Sequence, residues 1–227
     1  MFGPNTHLST PVTIDHSHRD TEFLNLYDSV ERSLTSKFGL EEYDLLFLPG
    51  GGTLGIESVL WSSRSSVEII GHEGKFTSRW RKMAKNYGLQ PSQNQMYCQL
   101  ETSVNKLFNK KNCYVDAISS FPYYDLPKDT KIFVISSNKQ LGSLVGLSIV
   151  GVRKDQWVEL KRSDEMSYLN LSRYKDYSKI LQTPSTCPTH IFQHLSEKLE
   201  SFDLEEHRSI INDNSSFLID ILGGIPS

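Results

Sequence analysis

Apolar residues recur at helical spacing in TEFLNLYDSVERSLTSKFG: Phe23, Leu24, Tyr27, Val30 and Leu34 share one face, and Gly39 supplies a stop. The pattern then changes. YDLLFLPGGG is a short continuous apolar run ending in glycines, which predicts a buried strand, and TLGIESVLWSS after it predicts a helix. The alternation repeats with SVEIIG as a strand and FTSRWRKMAKNYG as a helix. QMYCQLE, NCYVDAISS and KIFVISS are three more strand candidates, and SLVGLSIVGV predicts a strand that returns after Lys139. From about residue 155 the chain reads as more helical, with PTHIFQHLSEKLESF the clearest stretch. Strands alternating with helices predict an α/β fold built on a mainly parallel sheet flanked by helices. No composition break marks a linker, so residues 1–227 are expected to form a single large domain.

Composition narrows the class. Hydrophobic residues make up 37% and the formal charge is −3, values of an ordinary globular chain that offers nucleic acid little to hold. No run approaches the ~20 apolar residues of a membrane span. MFGPNTHLST has neither a basic start nor an apolar core, so no secretion signal is expected. Cys98, Cys113 and Cys187 are odd in number and widely spaced, which argues for a reducing compartment and against a disulfide frame or a structural zinc site. The expectation is a cytoplasmic protein with no membrane or nucleic-acid partner. His16 and His18 are two residues apart; a turn with solvated imidazoles is the simpler reading, and no metal site is expected.

Open α/β sheets bind ligands at the carboxyl ends of their strands, and three such ends carry chemistry. Gly50-Gly51-Gly52-Thr53 is a strand-to-helix turn, either a flexible connection or an anion cradle with Thr53 adding a hydroxyl. It lacks the Gly-Lys-Ser/Thr of a P-loop and is not G-x-G-x-x-G. Asp116 ends YVD, as a turn residue or as a buried acid that needs a cation or strong donors. Lys139 follows KIFVISSN; alone it would read as a lysine reaching out to solvent. Together, a phosphate cradle, an acid and a lysine at the strand ends of one sheet are what pyridoxal 5′-phosphate requires: an amine for its aldehyde, a carboxylate for its ring nitrogen and N–H groups for its phosphate. Phe76, just after the second strand, is placed to cover the ring, or else to pack in the core.

The same stretches resemble the class V aminotransferases of fold type I, and most closely the 2-aminoethylphosphonate–pyruvate aminotransferases. DLLFLPGGGTLGIESVL is similar to the family's phosphate cup, and GKFTSRWRKMAKNYG to the segment with its stacking aromatic and arginine. LETS, VDAISSF, SSNKQLGSLVGLSIVGV and TPSTCPTH follow in family order. The resemblance implies a pyridoxal-phosphate-dependent aminotransferase moving an amino group from a small amine, such as 2-aminoethylphosphonate, to pyruvate or a similar oxo acid. The alternative it leaves is a cofactor-binding relative with lost or altered activity. Lys139 would be the Schiff-base lysine and proton shuttle, Asp116 the partner of the ring nitrogen, and Phe76 the stacking residue. Gly51, Gly52 and Thr53 would hold the phosphate with Asn138 or Ser137 nearby. Thr102 would lie near the ring's 3-oxygen, and Thr186 would reach the phosphate of a neighbouring subunit, which implies a homodimer. Residues 1–40 would line the mouth of the site.

Three departures qualify the resemblance. Gly51 stands where the family carries a serine. ETSVNKLFNKKNCYVDAISS leaves room for only a minimal or irregular crossover where the family inserts a helix. FLIDILGGIPS falls where a C-terminal small domain would begin, so that domain is expected to be absent, and with it the arginine that holds the substrate's acid group. Arg19 and Arg173 are candidates for that role without motif support.

Overall fold

A computed structural model of the chain describes residues 17–63, 66–161, 163 and 165–222. Helix α1 (Thr21–Phe38) buries Phe23, Tyr27, Val30 and Leu34, the face its spacing predicts. Gly39 closes it in the left-handed conformation at φ 65°. Burying each such side chain contributes about 1.5–3 kcal/mol. Their partner is α5 (Thr189–Glu200): the rings of Phe23 and Phe192 meet edge to face at 5.0 Å, and the Ser29 and Ser196 hydroxyls are 3.0 Å apart.

The sheet has six strands: β1 (Tyr43–Pro49), β2 (Ser66–Ile69), β3 (Gln90–Cys98), β6 (Tyr114–Asp116), β7 (Ile132–Ser136) and β8 (Leu147–Arg153). Their spatial order is β1-β8-β7-β6-β3-β2. Strands β2, β3, β6 and β7 pair in parallel. Strand β8 runs against both β7 and β1, so the sheet is mainly parallel with one reversed strand. Both faces are covered, which is why the strands are continuous apolar runs. Leu45 and Phe47 of β1, Phe133 and Ile135 of β7, and Leu147 and Ile149 of β8 pack toward α1 and α5. Their alternates Leu46, Leu48, Ile132, Val134, Val150 and Val152 pack toward α2 (Gly52–Ser62), α3 (Lys75–Asn86) and α4 (Leu171–Ser178).

The connection from β3 to β6 carries no helix. Residues 99–113 fold instead as a small hairpin of β4 (Leu100–Glu101) and β5 (Lys106–Leu107), the irregular crossover that its length predicts. QMYCQLE is therefore two strands, broken at Gln99. At Gln99 the backbone N–H still donates to the Asp116 carbonyl, while the side chain turns away, donating to Asn109 and the Asp125 carbonyl and accepting from the Ser120 hydroxyl. A 3-10 turn (Lys154–Glu159) follows β8, and α6 (Leu204–Leu222) is the last described helix. Among the described residues no helix is long and apolar enough to cross a membrane.

Candidate active site

The carboxyl ends of β1, β3, β6 and β7 and the first turns of α2 and α3 surround a cavity of about 240 Å³. Its walls include Gly51, Gly52, Thr53, Phe76, Asp116, Asn138 and Lys139. Seven of the sequence-predicted residues thus come together from four separate segments.

The cradle is the start of α2. Gly51 is its N-cap at φ −74° and ψ 167°, with no side chain to cap the helix. The N–H groups of Gly52 and Thr53 lie in the first turn, where helix geometry gives them no intrahelical acceptor. This is an end that favours an anion. Gly52 must be glycine: a Cβ there would come within 2.6 Å of Ile118 Cδ1, just beyond β6. At Gly51 a Cβ would meet nothing within 4 Å, so the missing serine is not a steric requirement.

Asp116 ends β6, in register with Cys98 of β3 and Val134 of β7, and is 4% exposed. One carboxylate oxygen accepts from Trp80 Nε1 at 2.9 Å and the other from the Ile118 N–H at 3.1 Å. Burial pushes its pKa up to about 6, against the Ile118, Trp80 and Cys98 hydrogen bonds that favour the charge; nearby Glu101 adds to the rise. Among the described residues, no cation is one of the main groups acting on it. Beside it, burial and then the Asp116 charge push the Cys98 thiol up, so Cys98 is a neutral donor, 3.3 Å from the Leu100 carbonyl.

Lys139 sits in the turn after β7, and that turn is fixed at several points. Ser137 Oγ donates to the Leu144 carbonyl at 2.6 Å, and the Ser143 N–H donates to the Ser137 carbonyl at 2.9 Å. Ser143 Oγ lies 3.0 Å from His194 Nδ1 on α5. Gln140, 4% exposed, donates to the Ser119 carbonyl at 3.1 Å and accepts from His207 Nε2 of α6 at 2.7 Å. Asn138 Oδ1 accepts from Ser136 Oγ at 2.7 Å.

Phe76 opens α3, whose first turn is capped from outside. The Glu101 carboxylate accepts from the Thr77 N–H at 2.8 Å, Thr77 Oγ1 at 2.9 Å, the Phe76 N–H at 3.4 Å and Ser103 Oγ at 2.6 Å. Burial works against the Glu101 charge, yet these donors outweigh it and hold the carboxyl below its ordinary range. Gly74 allows the approach, since a Cβ there would fall 2.2 Å from Glu101 Cγ and Cδ.

Two predicted residues lie elsewhere. Thr102 is half-buried in the β4–β5 turn and Thr186 is exposed in the loop before α5; neither lines the cavity. Ser137 faces the turn rather than the cavity. Within segment 1–40, residues 1–16, including His16, lie outside the described residues, and none of residues 17–40 lines the cavity. Among the described residues no group of three or more His, Cys, Asp or Glu is placed to hold a metal ion. The sequence reading passed over Trp80, Cys98, Ile118 and Glu101. Trp80 had a usable signal, since it follows Phe76 by four residues on α3 and so shares its face.

The donor set fits pyridoxal 5′-phosphate: an uncapped helix start for a dianion, a buried carboxylate with no cation for a protonated ring nitrogen, an aromatic ring, and a lysine.

No protein-family model matches this chain. It is 25% identical over 238 residues to the soluble hydrogenase 42 kDa subunit of Anabaena cylindrica, covering 85% of this chain and 62% of that protein. The chain thus spans about three-fifths of the length of the curated relatives it matches. Among solved structures, alanine–glyoxylate aminotransferase from Nostoc sp. superposes with a TM-score of 0.83 at 21% identity, over 97% of this chain and 72% of that one. Aspartate aminotransferase of subgroup IV from Thermus thermophilus gives 0.78 at 21% identity, over 92% and 72%. The expected fold is borne out: the chain has the architecture of fold-type-I aminotransferases, and its structural neighbours include class V-like ones.

Proposed function

We propose that this chain binds pyridoxal 5′-phosphate and transfers an amino group from a small primary amine to an oxo acid, with 2-aminoethylphosphonate and pyruvate as the pair that the sequence resemblance favours. The observation that carries the reading is Asp116, a buried carboxylate on the cavity wall, held by neutral donors and, among the described residues, with no cation paired to it. A buried charge is costly unless paired, and a protonated ring nitrogen is the partner this site lacks.

When bound, the cofactor supplies an aldehyde carbon and an electron-withdrawing ring that acidifies the Cα–H of an attached amine. The rest falls to the chain. The N–H groups of Gly52 and Thr53 and the Thr53 hydroxyl bind the phosphate. Asp116, oriented by Trp80 and the Ile118 N–H, holds the proton on the ring nitrogen. Phe76 covers one face of the ring and excludes water from it. Lys139 Nζ would hold the cofactor through its aldehyde and, with a substrate amine in its place, would take up and return the proton at the substrate α-carbon. Thr186, exposed ahead of α5, would reach the phosphate of a second protomer, and a homodimer with shared sites belongs to this reading.

The test is the visible absorption spectrum of the protein titrated with pyridoxal 5′-phosphate, beside Lys139→Ala. The expected result is a protein-dependent band that borohydride reduction fixes covalently, and no such band in Lys139→Ala. Turnover of 2-aminoethylphosphonate with pyruvate, compared with alanine and serine, then assigns the amine. Absence of a band in the unmodified protein refutes the cofactor; a band without product from any amine refutes the transfer.

A further inference from the structure

Among the described residues the cavity is lined by a lysine and a carboxylate but by no arginine, so the acidic end of a substrate needs a cation from outside its walls. Arg19 is engaged: it donates to Gln182 and lies over the Tyr177 ring at 5.3 Å. Arg173 belongs to α4, which packs on β1, at the opposite end of the sheet from α3. Arg81 is paired with Glu73.

Arg79 differs from all three. It lies on α3, three residues after Phe76, so the two side chains share a helical face. Its guanidinium carbon is 5.6 Å from the centroid of the Phe76 ring and 5.9 Å from that of Trp80, both of them walls of the cavity. Among the described residues no carboxylate pairs with it. A guanidinium near aromatic rings is attracted by their faces and keeps its N–H donors for an anion, of which it can take two oxygens at once. Lys75 and Lys82, about one turn to either side, line the same open depression together with Ser78 and Ser103. The Glu73 carboxylate in that depression is already neutralised by Arg81.

We propose that Arg79 is a specificity-determining residue: lying against Phe76 and Trp80 of the cavity wall, over the open depression it lines with Lys75 and Lys82, it binds the carboxylate or phosphonate end of the amine and oxo-acid substrates. The proposal rests on the aminotransferase reading. Arg79 selects for a negatively charged substrate end and has no part in holding the cofactor.

The experiment compares unmodified protein, Arg79→Gln and Arg79→Lys as full chains. Pyridoxal 5′-phosphate is titrated by absorbance, and succinate and methylphosphonate by calorimetry, with and without cofactor. Turnover is then measured with alanine, 2-aminoethylphosphonate and 1-aminopropane, which has no acidic group. Expected are unchanged cofactor affinity in Arg79→Gln, anion binding weaker by roughly ten- to a hundredfold, and a matching loss in kcat/KM for the two acidic amines but not for 1-aminopropane. Arg79→Lys should recover part of both losses. A larger loss with succinate and alanine marks a carboxylate site; a larger loss with methylphosphonate and 2-aminoethylphosphonate marks a phosphonate site. Equal anion binding in unmodified protein and Arg79→Gln overturns the proposal, as does an equal loss for 1-aminopropane. If the unmodified protein takes up no cofactor, the aminotransferase reading fails separately. The anion titrations then still decide Arg79: a tenfold difference sustains an anion site, and no difference removes it.

Discussion

Asp116 gives the sharpest test, because its chemistry should be visible in stability before any reaction is measured. Its carboxyl titrates near 3.8 in the unfolded chain and at about 6 in the folded one. Between those values the folded state holds a proton that the unfolded state has released, so stability falls as pH rises from 4 to 6 and stays low above that. A shift of about two units corresponds to about 3 kcal/mol, since each unit is worth 1.36 kcal/mol. For a chain of this length that is roughly 6–12 °C in Tm. Burial makes the penalty real; an exposed group would be screened.

The perturbation is Asp116→Asn, and the assay is thermal unfolding of cofactor-free protein from pH 4 to pH 7.5. Absolute stabilities are a poor guide, since the asparagine amide would meet Trp80 Nε1 or the Ile118 N–H, both donors. The difference in slope isolates the carboxyl, because Glu31, also raised to about 6 by burial, contributes equally to both proteins. Unmodified protein should lose several degrees relative to Asp116→Asn as pH rises through 4 to 6. Saturating pyridoxal 5′-phosphate should flatten that slope by supplying a cation. Parallel pH profiles in the two cofactor-free proteins would refute the reasoning, because they would mean that Asp116 is already compensated.

Gly51→Ser has room for its side chain; the hydroxyl should tighten cofactor binding by about 1.5–3 kcal/mol, roughly 10- to 150-fold in Kd, while changing the Tm of the cofactor-free protein little. Gly74→Ala drives a methyl into Glu101 and should cost about 1–3 kcal/mol as the α3 donors lose their acceptor, read as a drop in Tm. Gln140→Leu keeps the volume but strands the Ser119 carbonyl and His207 Nε2; it should destabilise by about 1–3 kcal/mol and slow the capture of pyridoxal 5′-phosphate by Lys139, followed as the rise of the absorbance band.

The fold was legible where burial dictates the pattern. A strand covered on both faces reads as a near-continuous apolar run, as LLFL in β1, IFVI in β7 and the middle of β8 do; α1 and α3 announce one wet face each. Strand direction is another matter. SLVGLSIVGV reads as a strand whichever way it runs, and nothing in an unbroken apolar run distinguishes β8, reversed between β7 and β1, from a parallel neighbour. The β4–β5 hairpin was invisible because two-residue strands have no periodicity to read.

The site divides along a similar line. Lys139, Asp116 and the glycine turn could be found because each is costly or odd at a strand end, and cost is a signal. Trp80 carries no signal of cost, only its place four residues after Phe76 on one face of α3. It is 1% exposed and sits among core residues of α3, so its spacing describes it correctly as packing. Yet its indole N–H is one of the donors holding Asp116 in place, a role that depends on the direction of a single polar edge. Arg79 is the converse case. On pattern alone it is one more solvated charge on an amphipathic helix, and only the rings beneath it separate it from Lys75 and Lys82. Hydrophobic periodicity tells which way a side chain leaves the helix; what its donors meet on arrival depends on a different segment of the chain, and for Trp80 that partner lies on β6, 36 residues away.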